Sequence, residues 1–131
     1  MTHRIAAWRA AIGLVAVISS CVVCGHGNDL SSAAEGRTLY ETNGCVSCHG
    51  PQGHGDGPVG KTLTPAPRDF RDAGAFKNGT DVVAIARTLA VGLSANGERM
   101  PQFGHLTEAE RRSIALFVIS LRENGHEEKK P

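Results

Sequence analysis

The sequence predicts an all-α fold of three to four helices, and three observations carry that reading. Two capping boxes, Ser32-Ala33-Ala34-Glu35 and Thr107-Glu108-Ala109-Glu110, each open a run of helical periodicity. A third such run follows Thr80 and Asp81, either of which can cap it. No segment of any length alternates apolar and polar residues as a half-buried strand would.

The elements follow in order. A first helix is expected over residues 33–43, with Gly36, Leu39 and Tyr40 on one face and Gly44 as its stop. Residues 50–69 are rich in glycine and proline, including Gly53, Gly55, Gly57, Pro58, Gly60, Pro65 and Pro67, and lack apolar periodicity, so they read as a loop. A second helix runs to Val91 with Val82, Ile85, Ala86 and Leu89 as its buried stripe, and Gly92 ends it. A short loop over residues 93–103 contains Met100-Pro101. The last helix buries Ile114, Phe117, Val118 and Leu121, and Gly125 is expected to close it before a charged tail over residues 125–131.

Between the first helix and the loop stands Cys45-Val46-Ser47-Cys48-His49. Two thiols at this spacing, with a histidine directly after the second, form the pattern for covalent attachment of a c-type haem. The cysteines can make thioethers to the two vinyl groups on one porphyrin edge. The adjoining neutral imidazole can then take an axial position on iron. A structural zinc site would need four ligands, and no second pair is evident. A redox dithiol of thioredoxin type would need a βαβ setting that this chain lacks.

A haem with one histidine needs a second axial group. Apart from Met1, Met100 is the one methionine, and it lies in an irregular loop before a stiffening proline. An isolated methionine usually fills a gap in the core. Here a haem lacking a partner and a single candidate thioether favour ligation. His54 and His105 are the rivals: His54 is close in sequence to the attachment site, and His105 just precedes the last helix.

The N-terminal residues 1–24 read as an export signal. Arg4 and Arg9 precede an apolar run without charge, as in a bacterial n-region and h-region. Ile18-Ser19-Ser20-Cys21 resembles a lipobox, which would make Cys21 a lipidated mature N-terminus and tether the protein to a membrane. Ordinary cleavage beyond Ser20 is the alternative, and an uncleaved anchor a third reading, although the uncharged stretch is shorter than the ~20 residues of a usual span. Cys21-Val22-Val23-Cys24 is not a second attachment site, because Gly25 displaces His26 by one residue. Residues 25–32 are read as a linker and 33–124 as the folded domain. The domain carries ten Lys/Arg against ten Asp/Glu, and no basic stripe with interleaved aromatics suggests nucleic acid. At about ninety residues its core is small, and a covalently held haem would add a large apolar plate to pack against.

Gly36 and Tyr40, Cys45 to His49, Gly53-His54-Gly55-Asp56-Gly57, Met100-Pro101 and Leu116-Phe117-Val118 occur in the order seen in monohaem class I cytochromes c of the small bacterial periplasmic kind, which residues 33–124 resemble. The resemblance implies the class I cytochrome c fold around one haem c per chain. Cys45 and Cys48 would be the thioethers, and His49 and Met100 the axial ligands. It implies that the first and last helices cross closely at Gly36, with Tyr40 against Phe117. It also implies a proline carbonyl accepting from the histidine ring, a role for which Pro58 and Pro65 both stand. The tryptophan some relatives place near a haem propionate has no counterpart, since Trp8 lies in the signal; Lys61, Arg68 or Arg71 remain as donors.

The function implied is that of a periplasmic electron carrier, itself no enzyme, meeting redox protein partners transiently and existing as a monomer. An electron-transfer subunit of a dehydrogenase or terminal reductase complex is the alternative. A haem sensor or peroxidase-like enzyme, which needs an open iron position, is a third.

Overall fold

The structure is a computed structural model and describes residues 31–94 and 99–127, with side chains through residue 124. The signal over residues 1–24, the lipobox at Cys21, residues 25–30 of the linker and the end of the tail lie outside the described residues. Four α-helices are present among those described: α1 (Ala33–Thr42), α2 (Val46–His49), α3 (Val82–Val91) and α4 (Glu108–Glu127). Short 3₁₀ turns occupy Gly60–Thr62 and Ala73–Ala75. The all-α expectation holds, and the one β pairing among the described residues is an isolated bridge between Leu93 and Met100.

The caps behave as hydrogen-bond chemistry requires, with one variation. The Thr107 box closes on itself: the Thr107 N–H donates to Glu110 Oε2 at 2.7 Å, and the Glu110 N–H donates to Thr107 Oγ1 at 3.2 Å. Asp81 caps α3 by accepting from the N–H groups of Val83 and Ala84 at 2.9 and 3.0 Å. Ser32 accepts from the Glu35 N–H at 3.1 Å, as expected. The Glu35 carboxylate, however, does not reach back to Ser32. It accepts from Ser113 Oγ at 2.8 Å, and that hydroxyl in turn accepts from the Ser32 N–H at 3.2 Å. The first capping box is therefore completed by a residue of α4.

Gly125 does not close the last helix, which continues through Glu127. A single glycine costs a helix only about 1 kcal/mol, too little by itself to stop one already propagating over several turns. The short α2 was not anticipated, because four residues carry no periodicity to read.

Both α1 and α3 pack on α4. Ile114, Phe117 and Val118 are buried as predicted, while Leu121 is partly buried. Ile85, Ala86 and Leu89 supply the facing stripe of α3, with Val82 at its edge. Each fully buried side chain of this kind contributes roughly 1.5–3 kcal/mol relative to exposure. Ser113 and Ala115, both 0% exposed, also belong to the buried face. Ser113 marks the point where α1 comes closest. A Cβ on Gly36 would lie 1.8 Å from the Ser113 carbonyl oxygen, so no side chain fits there. One turn on, Tyr40 meets Phe117 edge to face, with ring centroids 5.2 Å apart and planes at 66°.

Gly36→Ala is expected to destabilise the domain by about 1–3 kcal/mol through overpacking against backbone, read as a fall in Tm of several degrees or more in thermal unfolding. A second expectation concerns acid. Hydrogen bonds from backbone N–H groups hold the carboxyls of Asp81 and Glu110 below their ordinary values. A depressed folded-state pKa gives stability that is present above the unfolded pKa and lost as pH falls through the folded one. The combined Asp81→Asn and Glu110→Gln variant is therefore expected to lose less stability than wild type in denaturant titrations carried from neutral pH down through the carboxylate range.

Candidate haem site

The cysteine–histidine motif is placed by the end of α1. The Cys45 N–H donates to the Tyr40 carbonyl at 3.1 Å, which turns the chain through Gly44 into α2. The Tyr40 hydroxyl then donates to the Gly50 carbonyl at 2.7 Å and ties down the far end of α2. Burial raises the pKa of this phenol well above its usual value, so it remains a donor.

The glycine-rich loop folds back over the motif through main-chain bonds. Gly55 N–H donates to the His49 carbonyl at 2.9 Å, Gly57 to that of Cys48 at 3.2 Å, and Val59 to that of Ser47 at 2.8 Å. The approach is close: a Cβ on Gly57 would stand 2.4 Å from the carbonyl oxygens of Val46 and Ser47. The loop is thus ordered with little regular secondary structure, as a long loop in a small domain must be if it serves a site.

Cys45 is buried, Cys48 half-buried, and the two are not bonded to each other. Burial pushes the Cys45 thiol up to about 11. A redox dithiol needs a stabilised thiolate, so this environment argues against that reading. The His49 pKa is lowered to about 4, chiefly by burial. It is thus held as the neutral imidazole that ligates metals. Its Nδ1 is buried without a hydrogen-bond partner. The Arg68 carbonyl lies close enough to favour the protonated ring, against the larger effect of burial.

Neither Pro58 nor Pro65 therefore provides the expected acceptor for Nδ1. Pro58 lies in the stretch that the Val59 N–H fastens to Ser47, two residues before His49 on α2. Pro65 borders the cavity without bonding that nitrogen. What touches the imidazole is Phe70, stacked on it with centroids 4.7 Å apart and planes at 26°. Sequence reasoning missed Phe70, because an isolated aromatic in a proline-rich loop has no periodic neighbours to announce its burial.

Met100 is fixed by a reciprocal pair of backbone hydrogen bonds with Leu93, both 2.9 Å, just beyond α3. The Phe103 N–H donates to the Leu89 carbonyl at 2.8 Å and docks the rest of the loop on the same helix.

Cys45, Cys48, His49 and Met100 all line one cavity of about 470 Å³, walled mainly by apolar side chains. Ile85 and Leu89 of α3 and Ile114 and Val118 of α4 form part of that wall. Its size falls within the usual range for cofactor pockets, roughly 300–1,000 Å³. Volume, apolar lining, two adjacent thiols and a neutral imidazole together fit a c-type haem.

His54 and His105 are not on the lining. His105 Nε2 instead lies 3.2 Å from Asn43 Oδ1 in an exposed position. Of the candidate propionate donors, Arg68 lines the cavity, joined by Lys77 and Arg99, whereas Lys61 and Arg71 do not; no Asp or Glu lines it. Among the described residues there is no group of three or more His, Cys, Asp or Glu side chains placed to hold a metal ion.

The sequence matches the cytochrome c family over residues 33–122. Among solved structures, a chain of the reducing HAO-like protein complex of Kuenenia stuttgartiensis is similar, with a TM-score of 0.58 and 33% identity over 68% of the present chain. The present chain spans 43% of that chain's length. No curated protein matches. A family match running the length of the helical domain, over a cavity that suits the group its two thiols can bind, shows that the chain belongs to the cytochrome c family, carrying covalently attached c-type haem for electron transfer.

Proposed function

We propose that the protein is a periplasmic one-electron carrier in which Cys45 and Cys48 form the haem thioethers and His49 and Met100 are the axial ligands. The observation that carries this reading is that these four side chains line one cavity, while the competing histidines, His54 and His105, do not. When bound, the haem supplies a one-electron Fe(II)/Fe(III) couple whose potential depends on the axial ligands.

The chain's residues do the rest. The α2 backbone and its overlying loop fix the proximal imidazole, the Leu93–Met100 bridge presents the thioether, and the apolar walls limit water. A thioether opposite a histidine favours the reduced state relative to a second histidine. With His49 and Met100 both holding the haem iron, no position would be open to a substrate, and the chemistry would be outer-sphere transfer to redox proteins that dock briefly. The periplasmic assignment rests on the Arg4/Arg9 and apolar pattern of the export signal, with Cys21 as the candidate lipid anchor.

A second reading makes the protein an electron-transfer subunit of a larger redox enzyme. The similarity to a chain from the HAO-like complex favours it. A stable stoichiometric complex surviving moderate salt would select this reading over the free carrier.

The ligand assignment predicts a specific spectrum. Periplasmically expressed wild type is expected to show the thioether-to-iron charge-transfer band when oxidised and to bind CO slowly when reduced. Met100→Ala is expected to lose the band and bind CO rapidly. An unchanged Met100→Ala spectrum rejects Met100 as ligand, and rapid CO binding by wild type favours a sensor or peroxidase-like role. Intact mass is expected to show one haem, and will report whether Cys21 carries lipid.

A further inference from the structure

We propose that His105 and Asn43 form a latch that holds the Met100 loop closed over the cavity, which makes both of them positioning residues for the distal ligand. The inference rests on the Met100 ligation proposed above. His105 Nε2 donates to Asn43 Oδ1 at 3.2 Å, between residues 62 positions apart. The direction of the bond follows from Asn43 itself. Its Nδ2 is committed to the Leu39 carbonyl at 2.8 Å, so the amide turns its oxygen to the imidazole. The contact therefore has one polarity, and the His105 ring carries a hydrogen on Nε2.

The place of this contact in the fold gives it its consequence. The loop that carries Met100 is fastened by its backbone to α3 and the turn beyond it: Met100 pairs with Leu93, and the Phe103 N–H donates to the Leu89 carbonyl. Gly92, with φ at +70°, lets these backbones meet, since a Cβ there would stand 2.6 Å from the Met100 carbonyl oxygen. Leu106, which is buried, ends the loop in the core. His105 reaches in another direction, to the C-cap of α1 two positions before Cys45. Asn43 and Gly44 border the cavity beside the cysteines, and Pro101 and Phe103 border it beside Met100. The latch thus joins the segment leading into the proximal motif to the loop that presents the thioether.

For Met100 to release a metal its loop must open, and local openings are drawn from segments held by few buried contacts. A bond made only in the closed loop lowers the open population by the factor that the bond is worth. A ligand that competes with Met100 needs the open form, so its apparent affinity scales with the open fraction. His105 is exposed and Asn43 half-buried. Their bond therefore acts on this opening more than on the stability of the core.

The test titrates ferric holoprotein with imidazole, following loss of the Met100 charge-transfer band, and measures CO binding to the reduced protein and Tm alongside. His105→Phe keeps a ring beside Phe103, whose centroid lies 6.1 Å from that of His105, and removes the donor. It is expected to tighten imidazole binding and speed CO binding by roughly 2–10-fold, the factor one net hydrogen bond supplies. His105→Gln, whose side-chain amide can donate to Asn43, is expected to stay nearer wild type. Asn43→Ala is expected to act in the same direction as His105→Phe, and the double variant to gain no more than Asn43→Ala alone. Wild-type imidazole affinity and CO rate in His105→Phe, even with a lowered Tm, would overturn the proposal and leave the pair as a surface contact. A double variant whose gain is the product of the two single gains would overturn it as well. Absence of the charge-transfer band in wild type rejects the Met100 ligation and the latch with it, whereas a normal band with unresponsive variants rejects the latch alone.

Discussion

The whole arrangement depends on how closely α1 approaches α4. With no side chain at Gly36, the helix backbones meet at the Ser113 carbonyl. That contact places Tyr40 against Phe117, and the ring pair holds Tyr40 where its hydroxyl reaches the Gly50 carbonyl. Gly50 follows His49 directly. A steric fact at a helix crossing is thus carried, through one aromatic residue, to the end of the cysteine–histidine segment. The crossing, the core and the site are consecutive parts of one mechanical chain.

A second dependence concerns main chain rather than side chain. The carbonyls of Ser47, Cys48 and His49 all accept from N–H groups of the overlying loop. The loop's glycines let that backbone lie close to α2. The short helix that carries the motif is stabilised from outside, which it needs, since so few residues cannot sustain a helix alone. The same backbone continues to Phe70, so the segment that covers the cysteines also delivers the ring that faces His49.

Much of this was legible in the sequence. The faces of α3 and α4 follow from apolar spacing, and the caps from Ser32, Asp81 and Thr107. What escaped prediction shares a cause. Ser113 is buried though polar because its partners, Ser32 and Glu35, lie 81 and 78 residues away. Phe70 reaches His49 through a loop whose path no periodicity encodes. For the acceptor to the histidine ring, residue type suggested Pro58 and Pro65, while the path of the loop brings the Arg68 carbonyl near the ring. Gly125 misled in the opposite direction, as a local signal overridden by the helix preceding it.

The relay linking Ser32, Ser113 and Glu35 bears on how the domain assembles. The donors that open α1 find their partner on α4, at the other end of the domain, so the first helix cannot be fully capped until nearly the whole sequence is present. Closing so long an interval has an entropic cost that local helix formation does not recover. The cysteine–histidine segment lies inside that interval. The donors that open α1 are therefore satisfied only once the seam between the domain's two ends is in place, and the cysteines lie within the stretch that this seam closes.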